Sequence, residues 1–402
     1  MSQKLESTLM EHVNFFSETV GPRPVGSAAF HRAAGYVRAA FATAGLQIEE
    51  LQHDIVDWQH RETVLKVGEE RLTAAANVYS PACDVKAPLL AVCSSAELEA
   101  ADISGKIVLF YGDLSNDYII PLNCPLYNTD RDQRINRLLI ERKPAAVLTV
   151  HPKLGGLDAR FMDHDQPTPS ATVPAEVGLV LLDHIGNGQT AHLKIVAESL
   201  PATSRTIMGL KDGPSNAKIT IMAHFDTMVD TPGATDNATG AAAMLELAAS
   251  LAGRDLPVGL EFIAFGDHEY YGYSDGMYVE QRGAQMKDII LAINMDFIGA
   301  RLGTNNITLI SESPALRQKV EKVVTGYPGV VWVDPWPQSN HSTFAWRGVP
   351  SAAFCATGST MLHHQPIDTI EWVDSAKLAE VVQLVEEIIA AVQNQPPEWS
   401  RA

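Results

Sequence analysis

The stretch at residues 221–240, IMAHFDTMVDTPGATDNATG, constrains the fold more than any other. An apolar run at 219–222, fit for a buried strand, delivers His224 and Asp226, and Asp236 follows ten residues later. Strand side chains alternate with period two, so His224 and Asp226 share one face. Gly233 and Gly240 let the intervening loop turn back, which would bring Asp236 to the same point. The small residues at 238–249 form helices readily. A His and two carboxylates at the carboxyl end of a strand is where an open α/β sheet places its chemistry. Taken alone, the stretch could equally be a polar surface loop.

The rest of the chain organises around that unit. Residues 4–20 and 30–44 carry apolar side chains at helical spacing, joined by the Pro- and Gly-punctuated GPRPVGS at 21–27. Residues 46–57 alternate like a strand. Between 62 and 202 short apolar runs (64–67, 89–92, 107–111, 145–150, 179–182) are separated by turn residues, which reads as a small inserted β-rich domain. After Lys218 strand and helix alternate: strands at 219–222, 259–265 and 289–295, helices at 238–251, 314–324 and 375–393. The expected fold class is α/β, a mixed central sheet flanked by helices. Residues 1–61 and 203–402 would make the catalytic domain and 62–202 the insertion. The closing QNQPPEWSRA reads as a frayed tail.

Composition narrows the function. A net charge of −18 argues against a nucleic-acid partner, whose phosphates need clustered Lys and Arg. Four scattered cysteines with no C-x-x-C pair indicate neither a disulfide scaffold nor a zinc knuckle. No apolar run is long enough for a bilayer, so no membrane partner is expected. The amino terminus lacks a basic start followed by an apolar core, which points to a cytoplasmic protein.

Three more polar bursts carry the chemistry. LEFIAFG leads into Asp267-His268-Glu269, IILAINM leads into Asp296, and His363-His364-Gln-Pro-Ile-Asp-Thr precedes the last helix. One such residue after a strand is ordinarily a cap or a satisfied core group. Four bursts supplying His, Asp, Glu, Asp and His fit the ligand preferences of zinc or manganese. Three carboxylates and two histidines suit two divalent ions sharing one carboxylate.

In order, H-x-D, G-x-T-D-N, H-E after F-G-D, N-x-D and H-x-P-x-D-T resemble the co-catalytic zinc aminopeptidases, the superfamily that includes glutamate carboxypeptidase II. The resemblance covers residues 219–372; GPRPVGS is similar to that family's early G-x-R-x-x-G-S, and residues 62–202 resemble its protease-associated insertion. It implies a zinc-exopeptidase-like fold and one or two divalent ions, zinc first and manganese second. It also implies that His224 and Asp296 bind the first ion, Asp236 bridges, and Glu269 and His364 bind the second, with Asp226 orienting His224. A cis peptide at Asp236–Asn237 is implied as well.

The departures matter too. The family usually has Glu-Glu where this chain has His268-Glu269, the first Glu being the general base. An imidazole titrates near pH 6.5 and can take that role. His268 could instead be a metal ligand, or a leftover with Asp267 nearby as a substitute. Tyr270 and Tyr271 replace a short glycine turn and could pack or line a substrate pocket. His341, in a segment resembling S-D-H with Asn340 for Asp, and His363 are further candidates for substrate contact. The expected activity is hydrolysis of C–N bonds, most simply an aminopeptidase or carboxypeptidase acting on a short peptide. A catabolic hydrolase of a small amide or aromatic amine, similar to nitroanthranilate deamination, and an inactive binding protein are the alternatives. A homo-oligomer is possible through the inserted domain.

Overall fold

Seven-residue runs that are apolar at nearly every position suit a parallel strand buried on both faces, and two of them, Gly259–Phe265 (interrupted by Glu261) and Ile289–Met295 (interrupted by Asn294), are buried throughout. The computed structural model describes residues 2–124, 128–358 and 360–402. The two runs flank Lys218–His224, both parallel to it. Ser351–Thr357 adds a further parallel strand beside Ile289–Met295. Antiparallel neighbours turn the sheet mixed: Thr304–Ile310 against Ser351–Thr357, and residues 207–211 against Gly259–Phe265. The chain leaves the central Lys218–His224 first to one side and then to the other. Its carboxyl end is therefore a topological switch point, where such sheets open a crevice.

Helices cover both faces. Thr239–Leu251, with ten buried residues, lies on one face, and Ser2–Asn14 and Ser375–Val392 pack onto it. On the other, Met222, Ile263 and Phe265 meet Tyr278 and Phe344. The helix ends follow local chemistry. Ser27 caps Ala28–Thr43 by accepting from Phe30 N, and the Asp374 carboxylate accepts from Ala376 N and Lys377 N at the start of Ser375–Val392.

The chain divides into two compact units, Met1–Ile55 with Ala202–Ala402, and Val56–Pro201. The strands Gln47–Val67 and Thr190–Lys211 run unbroken across the divisions, and the first boundary falls between Ile55 and Val56, six residues before the one expected after residue 61. In the second unit Cys83–Val92, Ile107–Phe110, Ala146–Val150 and Ser170–Val173 pair in parallel, and helices Asp130–Arg142 and Ala175–Gly186 accompany them. It is thus α/β in composition; the apolar run 179–182, expected in a strand, lies in a helix. A short apolar run has no period to separate the two.

The tail also differs from expectation. Ser313 N donates to Ser400 O and Ser313 Oγ to Trp399 O, both at 2.8 Å, and the Arg401 guanidinium reaches Met286 O and Lys287 O. These tertiary bonds hold a segment whose local sequence signals only disorder. Among the described residues, no helix is long and apolar enough to cross a membrane.

Candidate metal centre

His224 is the last residue of its strand, and the ring is fully buried. Its Nδ1 lies 3.2 Å from Asp226 Oδ1, which leaves Nε2 facing the other way. There it meets Asp296 Oδ1 at 3.3 Å and Asp236 Oδ1 at 3.4 Å. A carboxylate behind an imidazole fixes which nitrogen it presents, the arrangement that metal-binding histidines use. Asp226 also accepts from His268 N (3.2 Å) and Glu269 N (3.1 Å), so one carboxylate sets both His224 and the turn after Gly259–Phe265.

The loop to Asp236 needs its glycines for two different reasons. Gly233 sits at φ +60°, and a Cβ there would meet Asp236 O at 2.4 Å. A Cβ at Gly240 would fall 2.2 Å from Met295 O, so the helix start can approach the neighbouring strand end only without a side chain. The Asp236–Asn237 peptide is cis, as the resemblance implies. Asn237 ties this corner to the next strand end: its Nδ2 donates to Met295 O, and its Oδ1 accepts from Gly240 N and Phe297 N. Asp368 accepts from Thr235 N, Thr235 Oγ1 and Asp236 N. The sequence motif contained Asp368, but only the fold reveals this bracing role.

Asp236 presents its two oxygens to opposite sides. Oδ1 faces His224, while Oδ2 lies 3.8 Å from both His364 Nε2 and His363 Nε2. His364 Nε2 is 2.7 Å from Glu269 Oε2. Asp296 Oδ2 accepts from Ser339 Oγ at 2.6 Å, and Ser339 Oγ accepts from Asn294 Nδ2. All five side chains singled out as metal ligands in the sequence therefore converge. Three overlapping sets of donor atoms, each within 4.8 Å of one another, are His224/His268/Asp296, Asp236/His363/His364 and His224/Asp236/Glu269.

A divalent ion fits this cluster on two further observations. Zinc–nitrogen and zinc–oxygen bonds of about 2.0–2.1 Å give a tetrahedron with edges of about 3.3 Å. The contacts from His224 Nε2 to Asp296 and Asp236 have that length. Glu269 Oε1 is buried and accepts no hydrogen bond, an expense a protein carries where an ion supplies the partner. The electrostatics agree. Burial opposes a charge on His224, but Asp296, Asp226 and Asp236 prevail and hold its pKa well above the ordinary value. Burial likewise opposes ionisation of Asp236, and His224, His363 and His364 overcome it to hold the carboxyl far below its usual range. A divalent ion displaces a proton held in this way.

Not every candidate faces the cluster. His268 does: its ring lies against His224, centroids 4.4 Å apart, and Nε2 is 3.8 Å from Asp296 Oδ2. Burial, then the neighbouring His224, lower its pKa, so the ring is neutral at pH 7. His363 is also present, 53% exposed and stacked on His364 at 3.6 Å. Tyr270 is buried and its hydroxyl donates to Thr227 O, so it packs and braces the loop; Tyr271 is half-buried in a left-handed turn beside it. His341 is turned inward: fully buried, with Nε2 at 2.7 Å from Trp336 O and Nδ1 at 3.5 Å from Asn294 Nδ2, it holds the Trp336 loop and does not present itself to substrate. Asp267 cannot stand in as a base, because it accepts from Ser204 Oγ, Ser274 N and Ser274 Oγ and pairs with His53 at 2.9 Å.

Arg23 was missed as a functional residue, although it lies in the GPRPVGS segment. Fully buried, it donates to Phe225 O, Pro232 O and Gly233 O, and so clamps both ends of the loop that carries Asp226 toward Asp236.

Residues 205–389 match peptidase family M28. Across the chain, a Bacillus subtilis protein named aminopeptidase YwaD is 26% identical over 397 residues, covering 93% of this chain and 82% of its own. Of fungal relatives named leucine aminopeptidase or probable leucine aminopeptidase, the chain spans 50% to 60% of the length. Two solved structures share the fold. An aminopeptidase from Aneurinibacillus sp. strain AM-1 superposes with a TM-score of 0.79 at 23% identity, over 98% of this chain and 94% of that one. The zinc aminopeptidase BSAP from Bacillus subtilis gives 0.75 at 22%, over 97% and 95%. The segment that matches peptidase family M28 carries the elements that gather the candidate metal-ligating side chains.

Proposed function

We propose that this protein is a zinc-dependent aminopeptidase that removes the amino-terminal residue from short peptides. The observation that carries the reading is Asp236 with one oxygen toward His224 and the other toward His364, which is the arrangement two ions sharing a carboxylate require. His224 and Asp296 with Asp236 Oδ1 would hold the first ion; Glu269 and His364 with Asp236 Oδ2 would hold the second. Bound there, zinc supplies Lewis-acid polarisation of the scissile carbonyl and a water acidified toward neutral pH. The protein's residues do the rest. Asp226 keeps His224 in the tautomer that offers Nε2, and Ser339 keeps Asp296 turned toward it. His268 and His363 stand over the donors on either side, each with its pKa lowered first by burial, so at neutral pH both are unprotonated imidazoles able to accept a proton. The similarity to proteins named aminopeptidases supports an amino-terminal residue as the group removed.

The test is hydrolysis of aminoacyl p-nitroanilides and dipeptides, each with a free and an acetylated amino terminus. Zinc-loaded protein should cleave the free-amine substrates, lose activity with chelator and regain it with zinc. Failure to cleave any unblocked substrate would discard the reading. Cleavage of acetylated substrates at equal rate would make it an endopeptidase or amidase. With Tyr270 packed inside, the structural case for an aromatic-amine substrate loses its main support.

A further inference from the structure

We propose that His268 is the fourth protein ligand of the first ion, so that the first site is closed and structural and the second is the open, catalytic one. This rests on the two-ion reading above and assigns a position where the chain departs from the pattern of the family it resembles. The geometry points to it in three ways. First, His268 belongs to one donor set with His224 and Asp296, one ligand atom of each lying within 4.8 Å of the others. Second, its 3.8 Å separation from Asp296 Oδ2 is within about 0.5 Å of a tetrahedral edge, a gap that a small ring rotation closes once an ion draws the donors in. Third, the residue starts from a fixed place: Asp226 Oδ1, which faces His224 Nδ1, also accepts from His268 N. One carboxylate therefore fixes the His224 ring and the backbone from which the His268 ring extends.

The count of donors then separates the sites. The first has His224, His268, Asp296 and one oxygen of Asp236, the four protein ligands typical of a structural zinc. The second has Glu269, His364 and the other oxygen of Asp236, three ligands with a position to spare, as catalytic zinc requires. His268 has only a fifth of its side chain exposed and lies against the buried His224 ring, whereas His363, more than half exposed, flanks the second site on its open side. His363 is then the imidazole available to take the proton from the attacking water.

The experiment titrates metal-free full-length protein with cobalt(II), followed by absorbance and by chelator competition, for wild type, His268→Ala and His268→Cys. In wild type the first equivalent should bind more tightly than the second. In His268→Ala the affinity for that first equivalent should fall by more than about tenfold, the lower bound for removing a group that merely orients a ligand, with the second equivalent retained. In His268→Cys the first equivalent should be held again and show a thiolate-to-cobalt charge-transfer band that wild type lacks. Wild-type affinities in His268→Ala, together with no such band in His268→Cys, overturn the proposal, and lost turnover alongside them would make His268 the proton acceptor. If His268→Ala fails to fold by circular dichroism, the cysteine variant decides alone. A wild-type protein that takes up neither cobalt nor zinc removes the two-ion reading itself.

Discussion

Single residues beside the cluster act by holding the donors still. Ser339 is the clearest, because its hydroxyl links Asp296 to Asn294 and has nothing to do with the fold's core. Ser339→Ala should weaken zinc binding by about 10- to 100-fold, measured by chelator competition, with little change in the thermal stability of the metal-free protein. Asp275 is a different case. Buried, it accepts from Thr343 Oγ1 and Asn340 Nδ2; burial, aided by the nearby Asp267, raises its pKa to about 7. An aspartate in place of Asn340 would set a second carboxylate against the first. The folded protein therefore keeps a proton that the unfolded chain releases above its ordinary value of 3.8. Between that value and 7, stability should fall as pH rises, by at most about 1.4 kcal/mol per unit from this group. Asp275→Asn should flatten that part of the profile in urea unfolding from pH 4.5 to 7.5. An unchanged slope would show that the carboxyl is ionised throughout.

At the scale of elements, the decisive piece is the loop from Phe225 to Asp236, which has no regular structure to hold it. Arg23 replaces that structure, its planar fork serving three loop carbonyls together with Phe16 O and Gly21 O. Arg23→Met would leave five carbonyls, four of them in buried hydrogen bonds, without this donor and should cost about 3 kcal/mol or more in denaturant unfolding, with zinc affinity falling too. Arg23→Lys should rescue little, because an ammonium has three donors on one nitrogen and cannot span the acceptors spread around the edge of the guanidinium. The strands were legible wherever burial on both faces left a mostly apolar run, as in Gly259–Phe265, where Glu261 alone interrupts it. Thr304–Ile310 was not, because Asn305, Asn306 and Thr308 are buried polar residues inside it. Asn305 shows why the fold tolerates them: its side chain accepts from Gly299 N and donates to Lys377 O, partners about which a local pattern says nothing.

For the whole molecule, ion binding and folding are linked. The donors come from strand ends and loops that are 140 residues apart between His224 and His364, so the unfolded chain has no such site. Free zinc at about 100 times its dissociation constant should stabilise the native state by about 2.7 kcal/mol per site and raise the melting temperature by about 4 °C or more. Chelator should reverse the shift; a melting temperature indifferent to both would mean the cluster holds no ion. The sequence by itself determined the chemistry: which residues end strands, which are donors, and that a mixed α/β sheet would collect them, because period and residue type are local properties. Only the tertiary structure decided orientation. It turned His341 and Tyr270 inward, set Arg23 under the loop, tied down the tail and put His268 on the first donor set, since where a side chain points depends on partners brought from distant parts of the chain.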